Sequence, residues 1–156
     1  MKILTVAQMR QVEQECAKFG LPTNVLMENA GKAVAEEVRR VLDIIEQKRI
    51  LFLIGPGNNG GDGLVAAHYL HDWGAQVSLY LLGQRVLDDT NVKMVRERGI
   101  ACVDTSQSQN LALLDKWLSS AVAVVDAIFG ARVSQEDEVV GLDLTQHHER
   151  AYTMLE

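Results

Sequence analysis

The stretch ILFLIGPGNNGGDG, residues 50–63, joins an unbroken apolar run to nine residues that hold five glycines, two asparagines and one aspartate. The run Ile50–Ile54 would be apolar on both faces of a strand, which is typical of a central strand in a parallel sheet. In open parallel sheets, ligands bind beyond the carboxyl ends of the strands. Glycines there let backbone N–H groups approach a ligand closely, and a following helix offers its own N-terminal N–H groups to an anion. The stretch therefore predicts a binding loop at the end of a central strand.

Outward from this loop, short apolar strands alternate with amphipathic helices along most of the chain. Predicted strands span 50–54, 75–82, 100–103 and 121–125, and predicted helices lie between Thr5 and Gly20, between Thr23 and Arg49, and over 64–73, 88–98 and 111–118. This alternation predicts an α/β fold, a Rossmann-like doubly wound parallel sheet in three α/β/α layers. We assign residues 1–133 to this domain. Residues 134–156 are polar and weakly periodic, and we interpret them as a divergent tail.

Composition narrows the class of protein. A length of 156 residues fits one domain, and a net charge of −6 argues against a surface that tracks nucleic-acid phosphates. No apolar run approaches the ~20 residues that cross a bilayer, and the N-terminus turns polar too soon for a signal peptide. Cys16 and Cys102 lack metal or redox spacing, which favours reduced thiols. We expect a cytoplasmic protein that binds neither nucleic acid nor membrane.

The glycine spacing by itself suggests two nucleotide motifs, and neither fits well. Gly55, Gly57 and Gly60 match the dinucleotide fingerprint G-x-G-x-x-G. That fingerprint expects an acidic residue near the end of the second strand to hold a ribose hydroxyl, whereas this chain has LLGQ at 81–84. A phosphate-binding P-loop would need a lysine after the glycines, and none follows. An ordinary NAD-dependent oxidoreductase is therefore disfavoured.

The polar side chains around the loop suggest a different ligand. A turn needs at most one Asn or Asp, yet the loop holds Asn58, Asn59 and Asp62. Asp126 ends the apolar run AVAVV at the same predicted edge of the sheet. Carboxylate and amide oxygens suit a hard cation or a sugar. The sequence leaves open the alternative that Asp62 or Asp126 caps the next element.

With GPGNNGGDG (55–63), AAHYLHDWG (66–74) and VVDAIFG (124–130) in view, the sequence resembles the NAD(P)H-hydrate epimerase family, the YjeF N-terminal domain. The segments TVAQMRQVE (5–13) and LPTNVLMENAG (21–31) agree, so the resemblance runs from about residue 3 to Gly130. It implies a Rossmann-like homodimer that interconverts the R and S forms of hydrated NADH and NADPH. It also implies a partner dehydratase that repairs the S form.

The resemblance assigns roles to particular residues. It implies that Asn59 and Asp126 ligate a potassium ion. Inversion at a carbon that bears a hydroxyl requires a carboxyl group to protonate the leaving group and to deprotonate the returning water, and Asp62 is the available catalytic candidate. The implied substrate-binding residues are Asn58, Asn59, Gly60, Gly61, Asp62 and Gly130, the last of which begins a second binding loop.

After Gly130 the family pattern is not found. The family continues to an Asp-x-Pro-Ser-Gly segment whose aspartate contacts substrate and whose serine completes the potassium site. The only prolines here are Pro22 and Pro56. We therefore expect a truncated domain that lacks the family's last third. It would be a fragment, a module completed by another chain, or a non-catalytic nucleotide-binding module like the scaffold relatives in RNA-decay proteins. Whether the chain turns substrate over stays open.

Overall fold

The computed structural model describes residues 6–85, 89–105 and 110–130. Within them, parallel strands alternate with helices in the predicted order, so the α/β prediction is confirmed. No helix in this part of the chain combines the length and the apolarity that crossing a bilayer requires. The elements are α1 Val6–Lys18, α2 Thr23–Leu42, β1 Arg49–Ile54, α3 Asn58–Asp72, β2 Gln76–Leu81, α4 Thr90–Glu97, β3 Ala101–Asp104, α5 Leu111–Ser120 and β4 Ala123–Ala127.

The four strands form one sheet in the order β3-β2-β1-β4, and every pairing is parallel. β1 lies in the middle, so that Leu53 pairs with Tyr80 of β2 on one side and with Asp126 of β4 on the other. The strand order changes direction between β1 and β4. Such a switch point is where open α/β sheets leave a crevice at their carboxyl ends.

Helices cover both faces of the sheet and create two apolar clusters. Alternation along β1 sends Phe52 and Ile54 into one cluster and Leu51 and Leu53 into the other. All four are at most 3% exposed, and each such burial contributes about 1.5–3 kcal/mol. The larger cluster joins β1 to α2, α3 and α4, and includes Val38, Leu64, Leu70 and Val95. The smaller one joins it to α5 through Leu114 and Trp117.

The structure corrects the predicted start of the third helix. α3 begins at Asn58, six residues before the predicted Leu64, so residues 58–63, two thirds of the expected loop 55–63, are helical. Glycine costs about 1 kcal/mol relative to alanine within a helix, so helix propensity alone does not predict the first turns of α3. Nine of the 15 residues of α3 are buried, and tertiary packing therefore outweighs the low propensity.

The second helix also differs from its prediction. Thr23 is its first residue rather than its cap, since Pro22 holds the cap position. The helix ends at Leu42 instead of Arg49, because Asp43 adopts a positive φ of 61°. Lys48 Nζ still reaches the helix end and donates to the Leu42 carbonyl at 2.9 Å.

The structure also corrects the position of Asp126 relative to the last described strand. β4 runs to Ala127, so Asp126 lies inside the strand rather than after it. The predicted cap Thr5 and the predicted tail 134–156 lie outside the described residues.

We expect the substitution Gly31→Ala to destabilise the fold, because it would separate α2 from α3. A Cβ on Gly31 would lie 2.6 Å from the Asp62 carbonyl oxygen and would also overlap the Val65 side chain. Overpacking of this kind costs about 1–3 kcal/mol, against the roughly 1 kcal/mol that alanine gains in a helix. Urea unfolding measures the difference. The control Lys32→Ala alters an exposed neighbour and should change stability by less than about 0.5 kcal/mol. A Gly31→Ala variant as stable as the control would contradict the close packing.

Candidate functional site

A three-residue turn connects β1 to α3 at the carboxyl edge of the sheet. Gly55 donates its N–H to the Ala127 carbonyl at 3.0 Å, which extends the pairing of β1 with β4 by one rung. Gly57 is the N-cap of α3, and its carbonyl accepts the Gly61 N–H at 3.2 Å. The first N–H groups of any α-helix have no carbonyl one turn back to bond. The N-terminus of α3 therefore presents donors and a positive dipole end at the switch point.

A cleft of about 450 Å³ opens beside this turn, between the start of α3 and the end of β4. Three polar side chains border it, together with a mainly apolar wall from α2 and β4. The structure thus brings together four residues that the sequence singled out: Asn59, Asp62, Asp126 and Gly130. The other lining residues are Ala30, Val34, Gly63, Val125, Ala127 and Phe129.

Asn59 ties α3 to the segment after β4. Its Nδ2 donates to the Phe129 carbonyl at 3.0 Å, and its side chain would contact a Cβ on Gly130 at 3.4 Å. Because the amide nitrogen is used in this bond, the amide oxygen Oδ1 is left as the acceptor. The side chain therefore fixes the Phe129–Gly130 segment and supplies an oxygen near it.

Asp126 caps the element that follows β4 and also lies at the cleft. Its Oδ1 accepts the Ile128 N–H at 2.9 Å, so the carboxylate does cap the turn that follows β4. The same residue borders the cleft. A carboxylate has two oxygens, and one bond to a backbone N–H leaves acceptor capacity for a ligand.

Asp62 follows Asn59 by three residues on α3, which places both side chains on one face of the helix. The helix rather than a loop therefore sets their spacing along the cleft. The alternative that Asp62 caps the following helix is wrong, because α3 has already begun at Asn58. Ala30 and Val34 of α2 give this end of the cleft an apolar wall.

The three remaining predicted residues do not line the cleft. Asn58 is exposed at the start of α3, whereas Gly60 and Gly61 are buried on the other side of the helix. A Cβ on Gly61 would lie 2.7 Å from Met27 Sδ, and one on Gly60 would lie 2.5 Å from Arg85 Nη1. These glycines allow close packing behind the turn, and their predicted contact with substrate stays a prediction.

Sequence reasoning missed Arg85 and Asp89. Arg85 stands just beyond β2 with a side chain only 9% exposed, and it forms a salt bridge of 2.8 Å with Asp89. Its Nη1 donates to the carbonyls of Gly55 and Gly57, the latter at 3.2 Å. The available signal was an Arg four residues before an Asp at the end of the second strand. The dinucleotide fingerprint predicts an acid rather than an arginine near the end of that strand, so this pattern did not indicate Arg85.

Two further polar residues of the helices lie away from the cleft. His68 is 6% exposed and packs against the Tyr69 ring, with Nδ1 lacking a partner among the described residues. Glu28 accepts the Tyr69 hydroxyl at 2.6 Å and so ties α2 to α3. Burial, reinforced by the Arg98 cation, lowers the pKa of His68 below its usual 6.5.

The strand order 3-2-1-4 and the cleft at its switch point define a doubly wound α/β protein of the Rossmann-like class. Residues 23–151 match the family model described as YjeF-related protein N-terminus, and the chain belongs to this family. The match includes residues 134–151, part of the predicted tail, and the domain boundary at 133 stays a prediction.

Similar proteins cover this chain only in part. It is 41% identical to the NAD(P)H-hydrate epimerase of Nitrosopumilus maritimus over 80 residues. The aligned region covers 51% of this chain and 37% of that protein. It is 35% identical over 119 residues to the bifunctional NAD(P)H-hydrate repair enzyme Nnr of Thermofilum pendens, 72% of this chain and 22% of that protein. The crystal structure of yeast ynu0, YNL200c, superposes with a TM-score of 0.75 at 26% identity, covering 86% of this chain and 59% of that one. The chain therefore spans less than two thirds of the length of each of these relatives.

We expect the stability of the fold to fall as pH falls below about 6.5, in part because of His68. The unfolded chain binds a proton on this histidine near pH 6.5, whereas the buried His68 stays neutral until its lower folded pKa is reached. The stabilisation is complete above pH 6.5 and is lost on acidification. Urea unfolding between pH 5 and pH 8 should show a shallower pH dependence for His68→Phe than for the wild type. Identical curves for His68→Phe and the wild type would contradict this role.

Proposed function

We propose that the chain binds hydrated NADH and NADPH in the cleft between α3 and β4 and interconverts their R and S forms. The observation that carries the proposal is the convergence of Asn59, Asp62 and Asp126 on one cleft at the switch point of the sheet. The relatives, an epimerase and a bifunctional repair enzyme for NAD(P)H-hydrate, support the same substrate.

The dimensions and chemistry of the cleft suit one half of such a dinucleotide. A volume of about 450 Å³ lies within the range of small-molecule sites, which is roughly 300–1,000 Å³. The apolar wall of Ala30, Val34 and Val125 suits the face of a nicotinamide ring. The oxygens of Asn59 and Asp126 suit hydroxyl groups or a cation, and the N-terminus of α3 suits a phosphate.

The donor set of the cleft also fits the potassium ion that the resemblance implies. Asn59 Oδ1 remains an acceptor because its amide nitrogen bonds Phe129, and Asp126 keeps acceptor capacity beyond its bond to Ile128. Oxygen donors of this kind are those that hard cations take. We propose that Asn59 and Asp126 hold the ion. When bound, it would supply a positive charge beside the anionic nucleotide.

In the proposed reaction, Asp62 moves the proton in both directions. The carboxyl group protonates the hydroxyl on the ring carbon, the C–O bond breaks, and water leaves while the ring nitrogen lone pair forms a cationic C=N bond. Water then adds to the opposite face of the same carbon, and the Asp62 carboxylate takes the proton back. The acid is restored, and the only net change is the configuration at that carbon.

A second candidate is nucleotide binding without turnover. The observation that favours it is that Asn59 and Asp126 both bond the backbone of the segment after β4, a structural role that requires no turnover. The same cleft would then recognise a nicotinamide or adenine nucleotide. A homodimer, a partner dehydratase and a cytoplasmic location stay predictions under either function.

We expect Asp62→Asn to slow epimerisation by about 100-fold or more, the usual contribution of a general acid–base group, while nucleotide binding persists. The measurement is chiral separation of hydrated NADH over time, with a nucleotide-induced shift of the melting temperature as the binding assay. The matched control Asp72→Asn alters an exposed carboxylate at the far end of α3 and should keep the wild-type rate.

The two candidate functions give different outcomes in this assay. If the R-to-S ratio relaxes no faster with wild-type protein than in buffer, while the nucleotide still raises the melting temperature, the binding module is correct. If neither nucleotide shifts the melting temperature, both proposals fail.

A further inference from the structure

We infer that Arg85 is a positioning residue that locks the turn Gly55–Gly57 and thereby fixes the direction of the N-terminus of α3. Only the expected effect of Arg85 on substrate turnover rests on the proposed function. The positioning of the turn rests on the contacts of the guanidinium group.

The guanidinium group joins a carboxylate to two backbone carbonyls. Its Nε and Nη2 both contact the Asp89 carboxylate at 2.8 Å, while Nη1 donates to the carbonyls of Gly55 and Gly57. The five N–H donors of the guanidinium group thus make four contacts within the protein. Charge-assisted bonds of this kind are stronger than neutral ones, and burial protects them from screening.

Asp89 is itself held in place, which makes the contact rigid. Its Oδ1 accepts the N–H groups of Asn91 and Val92 at 2.9 and 3.3 Å, and so caps α4. Its Oδ2 accepts from Arg85. The turn after β1 is therefore braced against the start of α4, an element that follows a different strand.

The direction of the carbonyls fixes the direction of a helix donor. In a planar trans peptide, the C=O of one residue and the N–H of the next point in opposite directions. Because the Gly57 carbonyl points to Arg85, the Asn58 N–H points away from it. Gly60 leaves room for this arrangement, since a Cβ there would meet both Arg85 Nη1 at 2.5 Å and the Gly55 carbonyl oxygen.

The same contacts argue against Arg85 as a reader of substrate phosphate. An arginine near the end of the second strand can accommodate the 2′-phosphate of NADP in Rossmann proteins. Here its side chain is 9% exposed, its charge is balanced by Asp89, and it is not among the residues that line the cleft. We therefore expect Arg85 to act equally on hydrated NADH and hydrated NADPH.

The test measures amide hydrogen exchange by NMR in the full chain. Two amides report on the turn: Gly55, which bonds Ala127, and Gly61, which bonds Gly57. In Arg85→Gln, we expect both to exchange about tenfold or more faster, with the Leu53 amide unchanged. The control is Arg98→Gln, which removes another Arg–Asp pair, in which Arg98 Nε donates to the Asp72 carboxylate at 3.1 and 3.2 Å, away from the turn. It should leave both amides at the wild-type rate.

A second pair of variants keeps the test decisive if Arg85→Gln does not fold. Gly60→Ala should speed exchange of the same two amides, because its Cβ displaces the guanidinium group and the Gly55 carbonyl. Gly57→Ala adds the same methyl group where no other atom lies within 4 Å. Both amides should therefore keep their wild-type exchange rates in this variant. Wild-type exchange at Gly55 and Gly61 in both Arg85→Gln and Gly60→Ala would overturn the inference.

Kinetics separate this inference from the proposed function. Arg85→Gln should lower kcat/KM for hydrated NADH and hydrated NADPH by the same factor, and Arg98→Gln should lower neither. A tenfold greater loss for hydrated NADPH, with unchanged exchange at the turn, would make Arg85 a phosphate ligand instead. If the wild type does not epimerise at all but exchange at the turn responds as expected, the proposed function fails and the positioning role stands.

Discussion

The pairing of β1 with both β2 and β4 is the constraint on which the rest of the structure depends. It places the carboxyl ends of β1 and β4 side by side, and the bond from the Gly55 N–H to the Ala127 carbonyl continues that pairing past the end of β1. From this rung, one chain segment turns into α3 and the other runs on to Phe129 and Gly130. The cleft is the space that this divergence leaves, as expected at a switch point.

α3 begins immediately after the turn, and this start determines where its first polar side chains lie relative to the cleft. Asn59 and Asp62 then lie on one face of a rigid helix instead of on a flexible loop. The start of the helix is held on two sides, by Asn59 on the Phe129 carbonyl and by Arg85 on the carbonyls of Gly55 and Gly57. Small residues in α3 permit this close packing, and burial against the sheet and α2 offsets their low helix propensity.

The sequence predicted β1 and β2 well because each is a largely buried apolar run, whereas β4 begins and ends two residues later than predicted. It singled out Asn59, Asp62 and Asp126 because polar side chains beside such runs must be solvated, hydrogen-bonded or bound to a ligand. It misplaced the start of α3, since glycines conceal a helix whose stability comes from packing. It missed Arg85 for a different reason. The bond from Arg85 to the turn joins residues 28 and 30 positions apart, and only the folded sheet brings them together. The capping role of Asp126 and its place in the cleft were offered as alternatives, whereas the folded chain allows both.

We propose that one cleft at the carboxyl ends of β1 and β4 binds the nucleotide. Titration of the ¹⁵N-labelled chain with hydrated NADPH, followed by two-dimensional NMR, tests it most directly. We predict that the amide shifts concentrate at residues 55–63 and 126–130 and saturate with a single dissociation constant. Shifts centred instead on the amino ends of the strands, near Gly74 and Gly99, would contradict the account.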